Sequence, residues 1–292
     1  MQSSRYLQLD VFSARIGGGN QLGVVVDAAA WTSERMQAFA AWTGLVETTF
    51  VLPATSAAAS YRLRIFTPSR EIPFAGHPTI GSAHAVLETD VAQPRQGALL
   101  QECGAGLLPI RVEGDGASRN LFVQAPAARV LREGIDGAPL LRAALGNSAL
   151  GALPPVFVEG GRRWWIAEFA DESALRRWQP DHAAIGALAN ATDSLGLCAF
   201  ARCVNSDYDV VVRAFPAGVG IVEDPASGAA NGLIAAWIAQ VEPHGVLARG
   251  YRVSQGREMG HDAAILIRIE QDQVWVGGRT HTIVSGNVRW PI

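Results

Sequence analysis

The chain is 292 residues long, which favours two domains at about 150 residues per domain. Apolar residues make up 49% and charged residues 17%, so the composition predicts a buried core and excludes a disordered chain. All 24 basic residues are arginine, which excludes Schiff-base and other lysine-dependent chemistry. A net charge of −3 without any basic run argues against a nucleic-acid surface.

The sequence carries no signal for a membrane or an oxidising compartment. Its longest apolar runs fall far short of the ~20 residues that a membrane-spanning helix needs, and residues 1–6 do not resemble a signal peptide. The three cysteines are an odd and sparse set, which is typical of a reducing environment. We therefore expect a cytoplasmic protein that binds neither membranes nor nucleic acid.

The first part of the chain mixes strand and helix signals. Alternating residues over 6–12 and 23–26, joined by a glycine turn, predict a hairpin. A helix is expected to start at Thr32–Glu34 and to end at Gly44. The other elements predicted here are strands over 45–52, 61–66 and 103–113 and a helix over 79–88.

The apolar pattern breaks near residue 118, which predicts a domain boundary there. We expect domains over 1–118 and 119–279, with the first completed by a C-terminal strand over 280–292. Because strands surround single helices without regular βαβ alternation, the predicted fold class is α+β. The elements predicted beyond the boundary are helices over 171–178, 183–189 and 234–240 and strands over 198–203, 208–215, 274–276 and 282–284.

An internal repeat links the two halves of the chain. The segment His77-Pro78-Thr79-Ile80-Gly81-Ser82-Ala83 aligns without gaps to Asp224-Pro225-Ala226-Ser227-Gly228-Ala229-Ala230, 147 residues further along. Each copy follows an Arg-x-Phe strand, Arg64–Phe66 or Arg213–Phe215, and precedes a run of small and apolar residues. The halves are therefore interpreted as copies of one strand–loop–helix unit.

Such helix starts can bind an anion. Proline in the first helical turn loses no hydrogen bond, and small residues leave the neighbouring N–H groups open to a carboxylate. Two such ends facing each other across a cleft would hold an anionic small molecule, with His77 and Asp224 at its rim. The alternative is that both loops are ordinary helix starts with proline at the first position.

Two further side chains are candidates for the site. Glu47 stands among Leu45, Val46 and Phe50, so we expect burial to raise its pKa, which suits a general acid–base group. The alternative is an exposed strand position. Asn20 follows three glycines, and it serves either the turn or the lining of the cleft.

The motifs are specific when taken together. They are Asp10-Val11-Phe12 with Gly19-Asn20, Glu47-Thr48-Thr49-Phe50-Val51, Pro73-Phe74-Ala75-Gly76-His77-Pro78-Thr79 and Gly220-Ile221-Val222-Glu223-Asp224-Pro225-Ala226-Ser227-Gly228. With the closing Val284-Ser285-Gly286-Asn287-Val288 they span essentially the whole chain. In this order and spacing they resemble the phenazine biosynthesis PhzF-like family.

The resemblance implies a diaminopimelate-epimerase-like fold. That fold has two similar α+β domains related by a pseudo-two-fold axis, each a mostly antiparallel sheet wrapped around a central helix. It also implies a homodimer and a cofactor-free isomerase without a metal, whose site lies between the domains. Glu47 matches the glutamate that shifts a proton on dihydro-3-hydroxyanthranilate, and His77 and Asp224 match the family's other acid–base positions.

The substrate-binding positions implied by this resemblance are Asn20, Gly76, Thr79, Ser227, Gly228 and Ala229. Ala229 stands where the family often has serine, so that hydroxyl is missing here. Relatives of the same fold that racemise amino acids use a cysteine at each helix start. Cys103, Cys198 and Cys203 lie elsewhere, so they are expected to be core residues.

The function predicted is a proton-shifting isomerase for a small carboxylate substrate, with Glu47, His77 and Asp224 as the catalytic residues. One alternative is an epimerase or racemase that uses Glu47 and Asp224. Another is a binding protein that keeps the cleft without turnover.

Overall fold

The computed structural model describes residues 3–204 and 206–290. The strands are β1 (Ser3–Val11), β2 (Asn20–Val26), β3 (Thr48–Leu52), β4 (Tyr61–Phe66), β5 (Glu71–Ile72), β6 (Ala98–Cys103), β7 (Gly106–Glu113), β8 (Asn120–Gln124), β9 (Arg129–Glu133), β10 (Val156–Gly160), β11 (Arg162–Glu168), β12 (Gly196–Arg202), β13 (Val210–Phe215), β14 (Gly250–Gln255), β15 (Ala263–Glu270), β16 (Gln273–Gly278) and β17 (Thr280–Arg289). The helices are α1 (Ser33–Thr43), α2 (Gly76–Glu88), α3 (Pro139–Leu145), α4 (Glu172–Arg177), α5 (His182–Thr192) and α6 (Gly228–Val241).

Contacts within the chain divide it into two units. Unit 1 comprises Met1–Gln124 and Gly277–Ile292, and unit 2 comprises Ala125–Val276. The boundaries expected from the sequence, at 118/119 and 279/280, lie within a few residues of these divisions. Each unit mixes strands with few helices, so the α+β class is confirmed.

Unit 1 contains a mostly antiparallel sheet. Its strand order is β17-β1-β2-β3-β4-β6-β7-β8, in which only the β2–β3 and β4–β6 pairs of the described residues are parallel. The last strand of the chain closes one side, because β17 runs antiparallel to β1 from Ser3↔Arg289 to Val11↔Thr280. Both chain ends therefore stabilise the same unit.

The helix α2 lies at the centre of this sheet. It contacts strands all along the order, from β17 and β1 to β4 and β8, and its residues from His77 to Ala83 are all buried. A helix that is buried on every side needs small side chains where it approaches the sheet. A Cβ at Gly81 would lie 2.5 Å from Leu22 Cδ2 and 2.8 Å from Val11 Cγ2, so glycine allows this close approach.

Unit 2 repeats the same pattern of strand directions. From β10 to β15 the successive pairs are antiparallel, parallel, antiparallel, parallel and antiparallel, as they are from β1 to β7 when β5 is left out. In both units the motif helix follows the fourth strand of this series, since α2 comes after β4 and α6 after β13. The two copies of the sequence repeat therefore lie in units that share the same order and direction of strands.

The local elements match the sequence signals where caps mark them. Helix α1 begins after Thr32, whose side chain accepts the Arg35 N–H, and ends at Gly44 in a left-handed conformation, as predicted. The two motif helices begin earlier than predicted, at Gly76 instead of residue 79 and at Gly228 instead of residue 234. Their small residues hide the apolar periodicity that would mark a helix start.

The expected strand over 45–52 is wrong in its first part. Strand β3 begins at Thr48, so Glu47 lies in the loop just before it. Leu45 and Val46 carry strand-like side chains, but Val46 is exposed and forms no strand. The apolar run misled the sequence interpretation because it continues across the loop.

The sequence predicts no membrane-spanning helix. None of those in residues 3–204 and 206–290 combines the length and the apolar character needed to cross a bilayer.

Candidate active site

Glu47 and His77 meet in unit 1. His77 is the second residue of α2, and Glu47 immediately precedes β3. The Nε2 atom of His77 lies 3.4 Å from the Oε2 atom of Glu47, and the two side chains are only 8% and 12% exposed. Because α2 packs against β3, two residues that are distant in the sequence form one acid–base pair.

His77 is uncharged at neutral pH. Burial lowers its pKa from 6.5 to about 4, against the opposing effect of a hydrogen bond to the backbone of Gln21. A neutral imidazole next to a carboxyl group can accept or return a proton, whereas a fixed imidazolium–carboxylate pair would be held by its charges. The pair is therefore suited to moving a single proton.

Asn20 is the first residue of β2. It is 2% exposed and sits opposite Val11 of β1. The preceding glycine turn is folded back so closely that a Cβ at Gly19 would overlap the backbone oxygen of Val11. Glycine is thus required here, and the tight turn brings Asn20 into the interior of unit 1.

The start of α2 leaves backbone donors available. Ala75 precedes the helix and gives it no side-chain cap, so the Gly76 and His77 N–H groups belong to the uncapped first turn. Pro78, at the third position, has no N–H to lose. This end of α2 has the partial positive charge that favours a carboxylate.

Thr79 serves the interior of unit 1. Its Oγ1 accepts a hydrogen bond from Gln101 Nε2 at 3.2 Å, and Gln101 Oε1 in turn accepts one from the Tyr61 hydroxyl at 2.9 Å. All three side chains are buried. The structure thus places Thr79 in a buried polar chain that steadies the first turn of α2, and its predicted contact with a substrate stays a prediction.

Unit 2 holds the remaining predicted positions. Ser227 is the N-cap of α6 and its hydroxyl accepts the Ala230 N–H at 3.4 Å. Gly228 is the first helical residue, and Ala229, the second, is exposed. Ser227 therefore satisfies one donor of its own helix, while the Gly228 and Ala229 N–H groups lie in the first turn.

Asp224 lies in the loop that leads to α6. Its N–H donates to the Ala214 carbonyl at 2.9 Å, and its Oδ1 accepts the Ala226 N–H at 3.2 Å. The side chain is partly exposed. This loop conformation holds the carboxylate of Asp224 at a fixed place relative to β13.

The two motif copies differ in where their prolines lie. Pro78 is the third residue of α2, but Pro225 comes three residues before α6 begins at Gly228. The interpretation of both loops as helix starts with proline at the first position is therefore wrong. The gapless alignment pairs an already helical segment of unit 1 with a loop of unit 2.

The arginine of each Arg-x-Phe strand makes equivalent contacts. Arg213 binds both carboxylate oxygens of Glu223 at 2.9 Å, and Arg64 binds those of Glu71 at 2.7 and 2.6 Å. Each guanidinium also lies over the phenylalanine ring two residues on, at 5.2 Å and 5.1 Å. These arginines therefore hold the motif loops through carboxylates of the protein itself.

Sequence reasoning missed the buried amides behind the site of unit 2. Gln255 Oε1 accepts hydrogen bonds from Asn231 Nδ2 at 2.9 Å and from the Ser227 N–H at 3.3 Å, while its Nε2 donates to the Asp224 carbonyl at 2.7 Å. Gln255 and Asn231 are fully buried. A glutamine at an inward strand position was the available signal, and Gln101 in unit 1 shares it.

The cysteines expected in the core differ in burial, because Cys103 and Cys203 are only half-buried. Cys198 is buried, and burial raises its pKa well above the usual range; burial also raises the pKa of Cys203 to about 12. Thiols of this kind are poor nucleophiles. Among the described residues, no group of three or more His, Cys, Asp or Glu side chains could hold a metal ion.

Comparison with known families covers almost the entire chain. Residues 9–286 match the model of the PhzC-PhzF family, described as phenazine biosynthesis-like protein. A curated relative, the trans-2,3-dihydro-3-hydroxyanthranilate isomerase of Pseudomonas aeruginosa, is 33% identical over 97% of this chain and 95% of its own length. The antisense-enhancing sequence 1 protein of Schizosaccharomyces pombe is 30% identical, over 98% of this chain and 99% of its own.

Solved structures agree with this assignment. The Bacillus anthracis phenazine biosynthesis protein of the PhzF family has a TM-score of 0.85, with 24% identity over 99% of this chain and 100% of its own. A predicted epimerase of Pseudomonas aeruginosa has a TM-score of 0.78, with 25% identity over 98% and 99%. The diaminopimelate-epimerase-like fold is thereby confirmed, and the chain belongs to the phenazine biosynthesis-like protein family as one of its isomerases.

Proposed function

We propose that this protein shifts a proton between two carbon atoms of a small, unsaturated carboxylate, without a cofactor. The observation that carries the proposal is the buried pair of Glu47 and neutral His77, 3.4 Å apart. The carboxylate can take a proton from carbon and return it, and a neutral imidazole next to it can accept that proton and give it back.

The reaction balances without any other reagent. The Glu47 carboxylate takes a proton from a carbon next to the double bond, and the C–H electron pair spreads into the conjugated system as a dienolate. The carboxylic acid of Glu47 then returns the proton at a second carbon, directly or after exchange with His77 Nε2. Bond order moves along the substrate, while its composition stays unchanged.

The substrate carboxylate is assigned to backbone N–H groups and the motif loops. The uncapped first turn of α2, at Gly76 and His77, offers donors in unit 1, and the first turn of α6, at Gly228 and Ala229, offers them in unit 2. Donors that point at developing charge stabilise the dienolate. Asp224 holds or exchanges a second proton in this proposal, and Asn20 orients a polar group of the substrate.

The site is proposed to lie between the two units of a homodimeric, cytoplasmic protein, with a small carboxylate as its partner. These features follow from the family resemblance, and each stays a prediction. For the substrate, the named activity of the Pseudomonas aeruginosa relative makes trans-2,3-dihydro-3-hydroxyanthranilate the first compound to test.

The experiment follows solvent deuterium into that compound by NMR in D2O. Wild-type protein is expected to move the double bond and to place deuterium on carbon. Glu47→Gln is expected to abolish both signals while ligand binding by calorimetry and the melting temperature stay unchanged, because the amide fills the same space but cannot take a proton. Unchanged exchange in Glu47→Gln would overturn the role of Glu47.

Two other outcomes identify the rival functions. Deuterium that enters a stereocentre without bond migration identifies an epimerase, a possibility that the predicted epimerase among the solved structures favours. A panel that includes proline and hydroxyproline tests this outcome directly. Tight binding without exchange for every compound identifies a binding protein and removes the isomerase proposal.

A further inference from the structure

The carboxylate of Asp10 holds the glycine turn of unit 1. Its Oδ2 accepts the Gly17 N–H at 2.7 Å, and its Oδ1 accepts the Gly19 N–H at 2.8 Å. Asp10 is only 4% exposed, and Gly17 has a positive φ of 88°. A buried carboxylate that uses both oxygens on one turn fixes the conformation of that turn.

Asp10 is connected to the acid–base pair through Gln21. Asp10 of β1 lies directly opposite Gln21 of β2 in the antiparallel register. The backbone of Gln21 forms the hydrogen bond to the His77 ring. The turn that Asp10 closes is therefore followed, after Asn20, by Gln21, whose backbone holds the His77 ring.

This hydrogen bond decides which ring nitrogen carries the proton. His77 Nε2 has no hydrogen-bond partner among the described residues, so the ring contacts the Gln21 backbone through Nδ1. The bond favours the protonated ring, as expected for Nδ1–H donating to a carbonyl. In a neutral imidazole, Nε2 is then the acceptor, and it faces Glu47 at 3.4 Å.

We propose that Asp10 is a positioning residue for proton transfer: through the Gly17–Gly19 turn and the Gln21 backbone, it keeps His77 in the Nδ1–H tautomer with Nε2 directed at Glu47. The inference rests on the proposed function. It extends that function to a residue that touches neither the proton nor the carbon atoms.

This position needs a side chain that accepts a hydrogen bond with each of two oxygens. Asn in place of Asp10 would keep the shape but offer one acceptor oxygen, and its NH2 group would face an N–H donor of the turn. One of the two glycine N–H groups would then lose its partner, although one of them is fully buried. The turn is expected to shift, and the Gln21 carbonyl would move with it.

The test is 15N NMR of histidine in the full-length protein, without any substrate. His77 signals are assigned by their loss in His77→Gln. In wild type we expect one Nδ1–H tautomer and a pKa near 4. In Asp10→Asn we expect a mixture of tautomers and a His77 pKa below the wild-type value, because the ring loses the hydrogen bond that raises its pKa while the burial that lowers it remains.

Glu102→Gln is the matched control. Glu102 also holds a loop of unit 1 by accepting two backbone N–H groups, from Thr55 at 2.7 Å and Ser56 at 3.0 Å. Glu102 holds the loop at Thr55 and Ser56 and not the turn at Gly17 to Gly19, so the His77 signals should not change in Glu102→Gln. Gly17→Ala is the second test variant, to be used if Asp10→Asn does not fold. It strains the same turn at its left-handed position, and the new Cβ has open space around it.

The outcomes separate this inference from the proposed function. An unchanged His77 tautomer and pKa in the folded Asp10 or Gly17 variants, or an equal change in Glu102→Gln, overturns the positioning role whatever the substrate is. If the tautomer shifts, Asp10→Asn should also lower kcat on the order of 100-fold with KM unchanged. A wild-type protein without turnover contradicts the proposed function and leaves the NMR result standing.

Discussion

His77 links the local burial of one side chain to the stability of the protein. Its pKa is lowered from 6.5 to about 4, so between these values the unfolded chain binds a proton that the folded protein does not. Stability therefore rises with pH across this window. The contribution is complete above pH 6.5 and is lost as the pH falls toward 4.

The first prediction is that His77→Gln reduces the acid sensitivity of the protein. Between pH 7 and pH 4.5, the free energy of unfolding should fall by about 2 to 3 kcal/mol more in wild type than in the variant. Urea unfolding at both pH values measures this difference. His244→Gln, at an exposed position, is the control and should behave as wild type. Equal pH dependence in all three proteins would contradict the burial of a neutral His77.

For single residues, the sequence predicted which side chains belong to the candidate site better than it predicted their contacts. Glu47 and His77 were found from their motifs, and the structure brings them together. Asp10 belonged to a motif as well, but its role depends on backbone N–H groups of a turn whose conformation no local pattern specifies. The partners of Gln255 lie 24 and 28 residues away, so its importance could not be predicted from its neighbours in the sequence.

Glycine in a buried helix and glycine in a surface helix should respond oppositely to the same substitution. At Gly81 of α2, an added Cβ would lie 2.5 Å from Leu22 Cδ2 in β2, and overpacking costs about 1 to 3 kcal/mol. At Gly186 of α5 nothing lies within 4 Å.

The second prediction is that Gly81→Ala lowers the free energy of unfolding by about 1 to 3 kcal/mol, whereas Gly186→Ala raises it by about 0.5 to 1 kcal/mol through helix propensity. Chemical denaturation of both variants measures the two signs. A stabilising Gly81→Ala would show that α2 is not packed tightly against β1 and β2.

The third prediction concerns the paired arginines of the motif strands. Arg213 and Glu223 are only 6% and 9% exposed, whereas Arg64 and Glu71 are 18% and 43% exposed. Removing one partner of a buried pair leaves an unpaired charge at a cost of about 3 to 5 kcal/mol, while an exposed pair contributes about 0 to 1 kcal/mol. Glu223→Gln should therefore destabilise strongly and Glu71→Gln weakly. Equal losses in thermal and urea unfolding would refute this difference.

The helices with caps could be predicted at this scale, and those with small residues could not. Thr32 and Gly44 mark the ends of α1 in the sequence and in the structure. Gly76 begins α2 without a side-chain cap, and Gly228 begins α6 after the Ser227 cap, but the low helix propensity of glycine weakens the local signal for both starts. Packing against the surrounding sheet forms these two helices.

Strand order is a property of the whole molecule, and it is the feature of the fold that is hardest to predict from the sequence. The sequence gives the α+β class because each strand is a local pattern. We expect from the sequence that residues 280–292 complete the first domain, but no local pattern specifies that β1 pairs with β17 from Ser3↔Arg289 to Val11↔Thr280. This pairing makes unit 1 discontinuous and unit 2 continuous.

The fourth prediction follows from that discontinuity. A chain that stops at residue 279 loses β17 and leaves the β1 backbone groups without their antiparallel partner, a cost of roughly 1 kcal/mol for each lost hydrogen bond. Unit 1 should open while unit 2, with its own buried core around Trp165, Leu188 and Phe215, stays folded. Hydrogen exchange should show lost protection in β1 and β2 and retained protection in β12 and β13.

A circular permutant separates the missing strand from the mere shortening of the chain. The permutant runs from residue 277 to 292, through a short linker, and on from residue 1 to 276, because Arg289 pairs with Ser3. It retains β17 beside β1 and should restore the exchange protection of unit 1. If the truncated chain and the permutant protect β1 equally, β17 does not stabilise unit 1. If both units lose protection together in the truncated chain, the two units fold as one cooperative body.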